Sequence, residues 1–237
     1  MTYRIFGILA HDRRLPDAYG RGRPFRPIIF AGRLFEVLLA LLVLVWPAAA
    51  APLHLVALGD SLTAGYSLSA DAAFPAQLSK ALGDKGYAVE IDNAGVSGDT
   101  SSGALARLDW ALGGGADGVI LEIGANDMLR GQDPGMTEAN IDAIMARLQA
   151  RKIPVFLAGM RAAPNLGADF GGKFDAIYPK LAKKYDAPLY PFFLEGVSGH
   201  PGMQLPDGMH PTREGVAVIV KGMMPQMTTW LDGLRKK

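Results

Sequence analysis

The chain has 237 residues, with 24 Lys+Arg against 23 Asp+Glu and no cysteine. Without cysteine there can be no disulfide, no thiolate zinc site and no cysteine nucleophile. The near balance of charge, without a basic stripe, argues against a nucleic-acid partner.

The first fifty residues differ in character from the rest. Residues 37–46, VLLALLVLVW, form an apolar run shorter than the roughly 20 residues that span a bilayer core. Arg33 and the arginines before it would be the positive region of a secretory signal, and PAAAAP from Pro47 would be its small-residue cleavage site, near Ala49 to Ala51. An uncleaved anchor or a buried helix is the alternative. The upstream stretch HDRRLPDAYGRGRPFRP reads as disordered, which leaves open a start downstream of Met1. Residues 1–50 are thus expected to be a signal peptide with a disordered extension, and 51–237 a single domain. Residues 1–50 hold seven of the basic and three of the acidic side chains, so the remainder carries 17 against 20, a net charge of about −3. Export to the periplasm or beyond is expected, with no membrane span after signal removal.

From Pro52 onward, short apolar runs alternate with longer amphipathic ones. The predicted strands are 53–58, 87–93, 117–124, 154–160 and 187–193. The predicted helices start at Phe74, Ser101, Thr137, Gly172 and Thr212. Near-continuously apolar strands alternating with helices predict a three-layer α/β/α fold around a parallel sheet. Ligands in such folds bind beyond the carboxyl ends of the strands. There the sequence is rich in Gly, Asn, Asp, Ser and His: GDSLTAGY after the first strand, NAGVSGDTS after the second, GANDMLRG after the third, and LPDGMHPTREG before the last helix.

Two nucleotide-site matches fail on context. GGGADG at Gly113 precedes a strand instead of following one, and GADFGGKF at Gly167 has Phe174 where a magnesium-binding hydroxyl is needed. No metal-binding spacing is present. His54 reads as a packed or edge residue of the first strand, and His200 as a solvated loop residue.

A nucleophile constellation remains. A serine hydroxyl needs a base within hydrogen-bond reach and a third group to orient that base. Asp207 and His210, three residues apart between Pro206 and Pro211, can supply both to Ser61, although an ordinary turn before a helix also accounts for that tetrapeptide. Donors for an oxyanion are available in the Gly95 N–H and the Asn126 side chain.

Taken together, GDSLTAGY (Gly59, Asp60, Ser61), NAGVSGDTS (Gly95), GAND (Gly124, Asn126, Asp127) and DGMH (Asp207, His210) resemble, in order, the motifs of the SGNH, or GDSL, family of serine hydrolases. The resemblance covers about residues 53–230. It implies a flavodoxin-like sheet of about five parallel strands, with no metal or organic cofactor. It also implies Ser61 as nucleophile, His210 as general base and Asp207 as its partner, with Ser61, Gly95 and Asn126 forming the oxyanion hole. Within the family the chain looks most like the exported bacterial branch of thioesterases, lysophospholipases and arylesterases. It departs from that branch at Ala125 and Met128, where glycines are expected, and at Ala163, where a proline is expected. The implied partner is a small acyl ester or thioester, cleaved through an acyl-Ser61 intermediate. A carbohydrate O-deacetylase or a non-catalytic flavodoxin-like binding module are the alternatives. Oligomeric state is open, with a monomer favoured.

Overall fold

A computed structural model describes residues 51–235. The expected signal peptide and N-terminal extension, residues 1–50, lie outside the described residues. Five strands, β1 (Leu53–Gly59), β2 (Val89–Gly95), β3 (Gly118–Glu122), β4 (Val155–Ala158) and β5 (Leu189–Tyr190), form one sheet in the order β2-β1-β3-β4-β5. Every pairing is parallel. The central strands follow from their sequences: β3 is buried at all five positions and β1 at its last five, as strands covered on both faces must be.

The chain crosses from β1 to β2 in one direction along the sheet and afterwards works its way in the other. Right-handed crossovers then put the two sets of helices on opposite faces. On one face α2 (Phe74–Gly83) packs against the C-terminal α9 (Arg213–Leu234). The other set comprises α3 (Ser101–Ala106), α4 (Leu108–Leu112), α6 (Pro134–Ala150), α7 (Ala168–Asp175) and α8 (Ile177–Tyr185), with α6 touching α3, α7 and α8. The reversal in strand order falls between β1 and β3, which makes the carboxyl ends of those two strands the topological switch point.

Element boundaries differ from the sequence expectation in instructive places. Two further helices, α1 (Ser61–Ala64) and α5 (Ala125–Leu129), stand where GDSLTAGY and GANDMLRG read as loops. The stretch after Ser101 is two helices broken at Arg107, whose backbone leaves helical values at φ −99°, ψ 7°. Its guanidinium turns inward, donating to Gly59 O (2.9 Å), Ala94 O (2.8 Å) and Asp99 Oδ2 (2.7 Å). The strand β2 lies two residues further along the chain than expected, because as an edge strand it alternates exposed and covered positions instead of showing a continuous apolar run. The strand β5 is cut to two residues ahead of Pro191, which has no N–H to offer the ladder. Both rejected nucleotide motifs are structural: Gly113 ends α4, and Phe174 is fully buried on α7.

Candidate active site

The first strand ends on Gly59, paired with Gly95 of β2 on one side and Glu122 of β3 on the other. A side chain at Gly59 would place Cβ 2.1 Å from Thr63 Oγ1 and 2.6 Å from Glu122 O. Only glycine lets the next turn fold back over the strand end. That turn is α1. Asp60 caps it, its Oδ1 accepting the Leu62 N–H at 2.9 Å, and Ser61 is its first residue, half-buried and facing outward from the sheet edge.

The imidazole beside Ser61 comes from the other end of the chain. In the loop before α9, the Asp207 carboxylate accepts backbone N–H bonds from Met209 (2.9 Å) and His210 (3.0 Å) on Oδ1, and its Oδ2 lies 2.7 Å from His210 Nδ1. Those backbone N–H groups, that of His210 foremost, hold the carboxyl down at about 2, so it is charged at any working pH. With Nδ1–H assigned to Asp207, the lone pair of Nε2 faces Ser61 Oγ at 2.9 Å. A short bridge between Gln204 and Pro211 and the Leu205 N–H donating to His210 O (2.7 Å) fix the loop. The Tyr66 ring lies against the imidazole, their centroids 4.4 Å apart.

Asn126 sits on α5, beyond β3. One N–H of its amide donates to Asp60 Oδ2 at 3.2 Å, which leaves the second available. Asp127, next to it, is fully buried; it accepts the Ser101 N–H at 2.8 Å and the hydroxyls of Ser101 and Thr137, tying α5 to α3 and α6. Gly124, at φ 119°, starts α5. Burial pushes the Asp60 carboxyl up to about 6, while the Leu62 N–H and the Asn126 amide hold it back.

One expectation is corrected. The Gly95 N–H is already bonded to Asn93 Oδ1 at 3.0 Å, and a Cβ at Gly95 would fall 2.2 Å from the Ala64 nitrogen. Gly95 therefore serves the packing of α1 against β2 and does not face the cavity. Gly98 does: it lines the cavity beside Ser61, Asn126 and His210. Its φ is 82°, and among the described residues its N–H meets no acceptor. Arg130 Nη2 donates to its carbonyl at 2.7 Å and fixes the loop. Pairing with β1 runs on through Gly95, two residues past the expected end of β2, and leaves Gly98 in the loop that follows. Arg107 and Arg130 were missed as well, since nothing in an arginine that follows a short helix signals a bond to a distant backbone carbonyl.

These groups open onto a cavity of about 600 Å³. Its walls include Leu62, Met128, Met160, Phe192 and Leu194, so both MRAAPNLGADF and FFLEGVSG contribute, as do the departing residues Ala125, Met128 and Ala163. A larger depression, about 1060 Å³, lies where β4 and β5 begin, at Pro154 and Pro188, and is lined by neither serine nor histidine. The chemistry belongs to the smaller one. His54, at the start of the interior strand β1, bonds Asp92 of β2 at 2.8 Å, and His200 is exposed in its loop.

A serine, a histidine and an aspartate hydrogen-bonded in series at the switch point of a parallel sheet form the arrangement used by serine hydrolases. The comparisons agree. Residues 57–218 match the model of the GDSL-like Lipase/Acylhydrolase family. The chain is 42% identical over 190 residues to "Thioesterase 1/protease 1/lysophospholipase L1" of Escherichia coli (strain K12), spanning 80% of this chain and 89% of that protein. It is 37% identical over 178 residues to "Arylesterase" of Vibrio mimicus, spanning 75% and 89%. Among solved structures it is similar to AlinE4, an SGNH-hydrolase family esterase, at 43% identity and a TM-score of 0.66, covering 78% of this chain and 99% of that one. The chain belongs to the GDSL-like lipase/acylhydrolase family, and it is an ester or thioester hydrolase of the SGNH type.

Proposed function

We propose that the protein is an exported esterase or thioesterase that works through an acyl-Ser61 intermediate. The observation that carries this is the continuous Asp207–His210–Ser61 hydrogen-bond series, 2.7 and 2.9 Å, at the mouth of an apolar-walled cavity. His210 Nε2 takes the Ser61 proton as Oγ attacks the acyl carbon, while Asp207 keeps the imidazole in the required tautomer and balances its positive charge. The oxyanion is met by the Ser61 N–H, the Gly98 N–H and the free N–H of Asn126. His210 then protonates the departing alcohol or thiol, and afterwards activates the water that releases the acid. Each group needed by the two half-reactions belongs to this chain.

Export rests on the leader-like residues 33–52. Among the described residues no helix is long and apolar enough to cross a membrane. The mostly apolar walls suit short to medium acyl chains on ester or thioester substrates. The test is labelling by a fluorophosphonate probe together with a chain-length series of p-nitrophenyl esters, thioesters and acetylated sugars. Labelling lost in Ser61→Ala and activity concentrated on acyl esters are expected. Labelling that survives in Ser61→Ala sinks the assignment, and preference for acetylated sugars turns it towards a deacetylase.

A further inference from the structure

Beneath Ser61 lies a pair of carboxyl groups, of which the reaction above uses neither as acid nor as base. Asp60 and Glu122 are both fully buried. Glu122 closes β3 directly beside Gly59, and Thr63 Oγ1 donates to Glu122 Oε2 at 2.8 Å. The other oxygen, Oε1, is buried and has no hydrogen-bond partner among the described residues. A carboxylate oxygen left in that position would carry uncompensated charge in a site closed to water, at a cost of several kcal/mol. A neutral acid leaves only a lone O–H.

Among the described residues the surroundings offer no compensating cation. Asp60 faces Glu122 from the turn into α1, and Tyr178 approaches from α8 with its hydroxyl committed to Ile123 O at 2.9 Å. Asp127 of α5 adds a further negative charge in the same region, felt by Tyr178, and Asp99 acts on Asp60. The closest arginine, Arg107, is engaged by Asp99 and by the carbonyls of Ala94 and Gly59. His210 reaches Asp60 through its field and is turned towards Ser61. Burial first, and the Asp60 charge second, push the Glu122 carboxyl well above the usual range, against the pull of the Thr63 hydroxyl and of the Asp60 and Thr63 backbone N–H groups.

We propose that Glu122 is a positioning residue for Ser61: held as a neutral carboxylic acid, it pins the single turn of α1 to the end of β3 through Thr63. The inference rests on Ser61 being the nucleophile. Of the two carboxyl groups, Asp60 is then left free to carry the charge that caps α1 and holds Asn126, an assignment of one proton between two neighbours that their environments push apart. Were Glu122 ionised, two carboxylates would repel beneath the turn that carries the nucleophile. A misplacement of about 1 Å there costs up to about 10²-fold in rate.

The experiment compares wild type, Glu122→Gln, Glu122→Leu and Thr63→Val at pH 8, above the value of about 6 to which Asp60 is raised. Infrared difference spectra should show the carbonyl stretch of a protonated carboxyl in the wild type and lose it in Glu122→Gln. Glu122→Gln, neutral and isosteric, should keep kcat within about twofold. Glu122→Leu and Thr63→Val should each lower kcat by about 10-fold to 10²-fold with KM little changed. Absence of the band in the wild type overturns the proposal, and so does a Glu122→Gln variant as slow as Thr63→Val. Should Glu122→Leu fail to fold, the band and the other two variants still decide. Failure of the nucleophile assignment would appear separately, as activity retained by Ser61→Ala.

Discussion

His210 Nε2 and Ser61 Oγ lie 2.9 Å apart across a sequence separation of 149 residues. Nothing local enforces that distance; it is set by α9 packing against α2 and by the Gln204–Pro211 bridge that holds the preceding loop. Residues that act as a unit lose nearly everything when either is removed. Ser61→Ala and His210→Ala should each lower kcat by about 10⁴- to 10⁶-fold, and the double variant should be no slower than the singles. Asp207→Asn should cost about 10²- to 10⁴-fold by freeing the wrong tautomer. The Asp207 carboxyl, held at about 2 against an ordinary 3.8, favours the fold above 3.8 and loses that contribution only as pH falls through about 2. An acid limb of kcat above pH 3 must therefore have another origin, and one that vanished in Asp207→Asn would contradict this. Additive losses in the double variant would show that the two groups do not act together.

The proposed oxyanion donors can be tested by comparing Asn126, Gly98 and Gly95. Asn126→Ala should lower kcat by about 10²-fold and leave the melting temperature nearly unchanged. Gly95→Ala should instead reduce stability sharply, since its Cβ would meet the Ala64 backbone. Gly98→Ala meets no atom nearer than Arg130 Nη2 at 3.7 Å, although its φ of 82° strains any side chain. That strain should cost about 1–2 kcal/mol, less than the clash in Gly95→Ala, and should lower kcat by shifting the loop that carries the Gly98 N–H. Thermal melts beside kinetics decide the matter: a stable, slow Gly95→Ala with an unaffected Gly98→Ala would restore the first assignment.

Met128 is buried against the cavity wall, close to the oxyanion donors. Shortening it to alanine opens room for about two methylene groups of substrate, worth about 1.6 kcal/mol. That corresponds to about a tenfold rise in kcat/KM for long over short acyl esters. A chain-length series checks this, and an unchanged ratio would mean that the acyl chain takes a different path.

Much of the fold was legible because its interior strands are buried on both faces, so that Leu55–Leu58, Val119–Leu121 and Val155–Ala158 read as plain apolar runs. The edges were not. The strand β2 alternates, and nothing in its residues marks where pairing with β1 stops; a strand expected to end at Asn93 puts Gly95 in the loop, whereas the pairing runs on through Gly95. The Asp-x-x-His spacing alone also fits an ordinary turn, and it was the ordered resemblance to the family motifs that singled out Ser61, Asp207 and His210, which the structure brings within hydrogen-bond reach in series. Glu122 was not legible, because inside a buried strand a glutamate looks like a boundary residue until the fold puts Asp60 above it. Likewise the short helices α1 and α5 are too brief to show periodicity, and only their caps, Asp60 and Gly124, hint at them.

The buried carboxyl pair should also leave its mark on stability. Asp60 is raised to about 6 from an ordinary 3.8, and Glu122 well above 4.5. Between the ordinary and the raised values the folded protein holds protons that the unfolded chain has released, so stability falls as pH rises through that window. For Asp60 the fall runs from about pH 4 to pH 6, and for Glu122 it continues above that. Glu122→Gln removes the second component, because an amide has no proton to release on unfolding. The melting temperature of Glu122→Gln minus that of the wild type should therefore be more positive at pH 8 than at pH 4, with the remaining slope up to pH 6 belonging to Asp60. Parallel curves for the two proteins across that range would mean that Glu122 is already ionised in the fold, and that α1 is pinned by something other than a neutral acid.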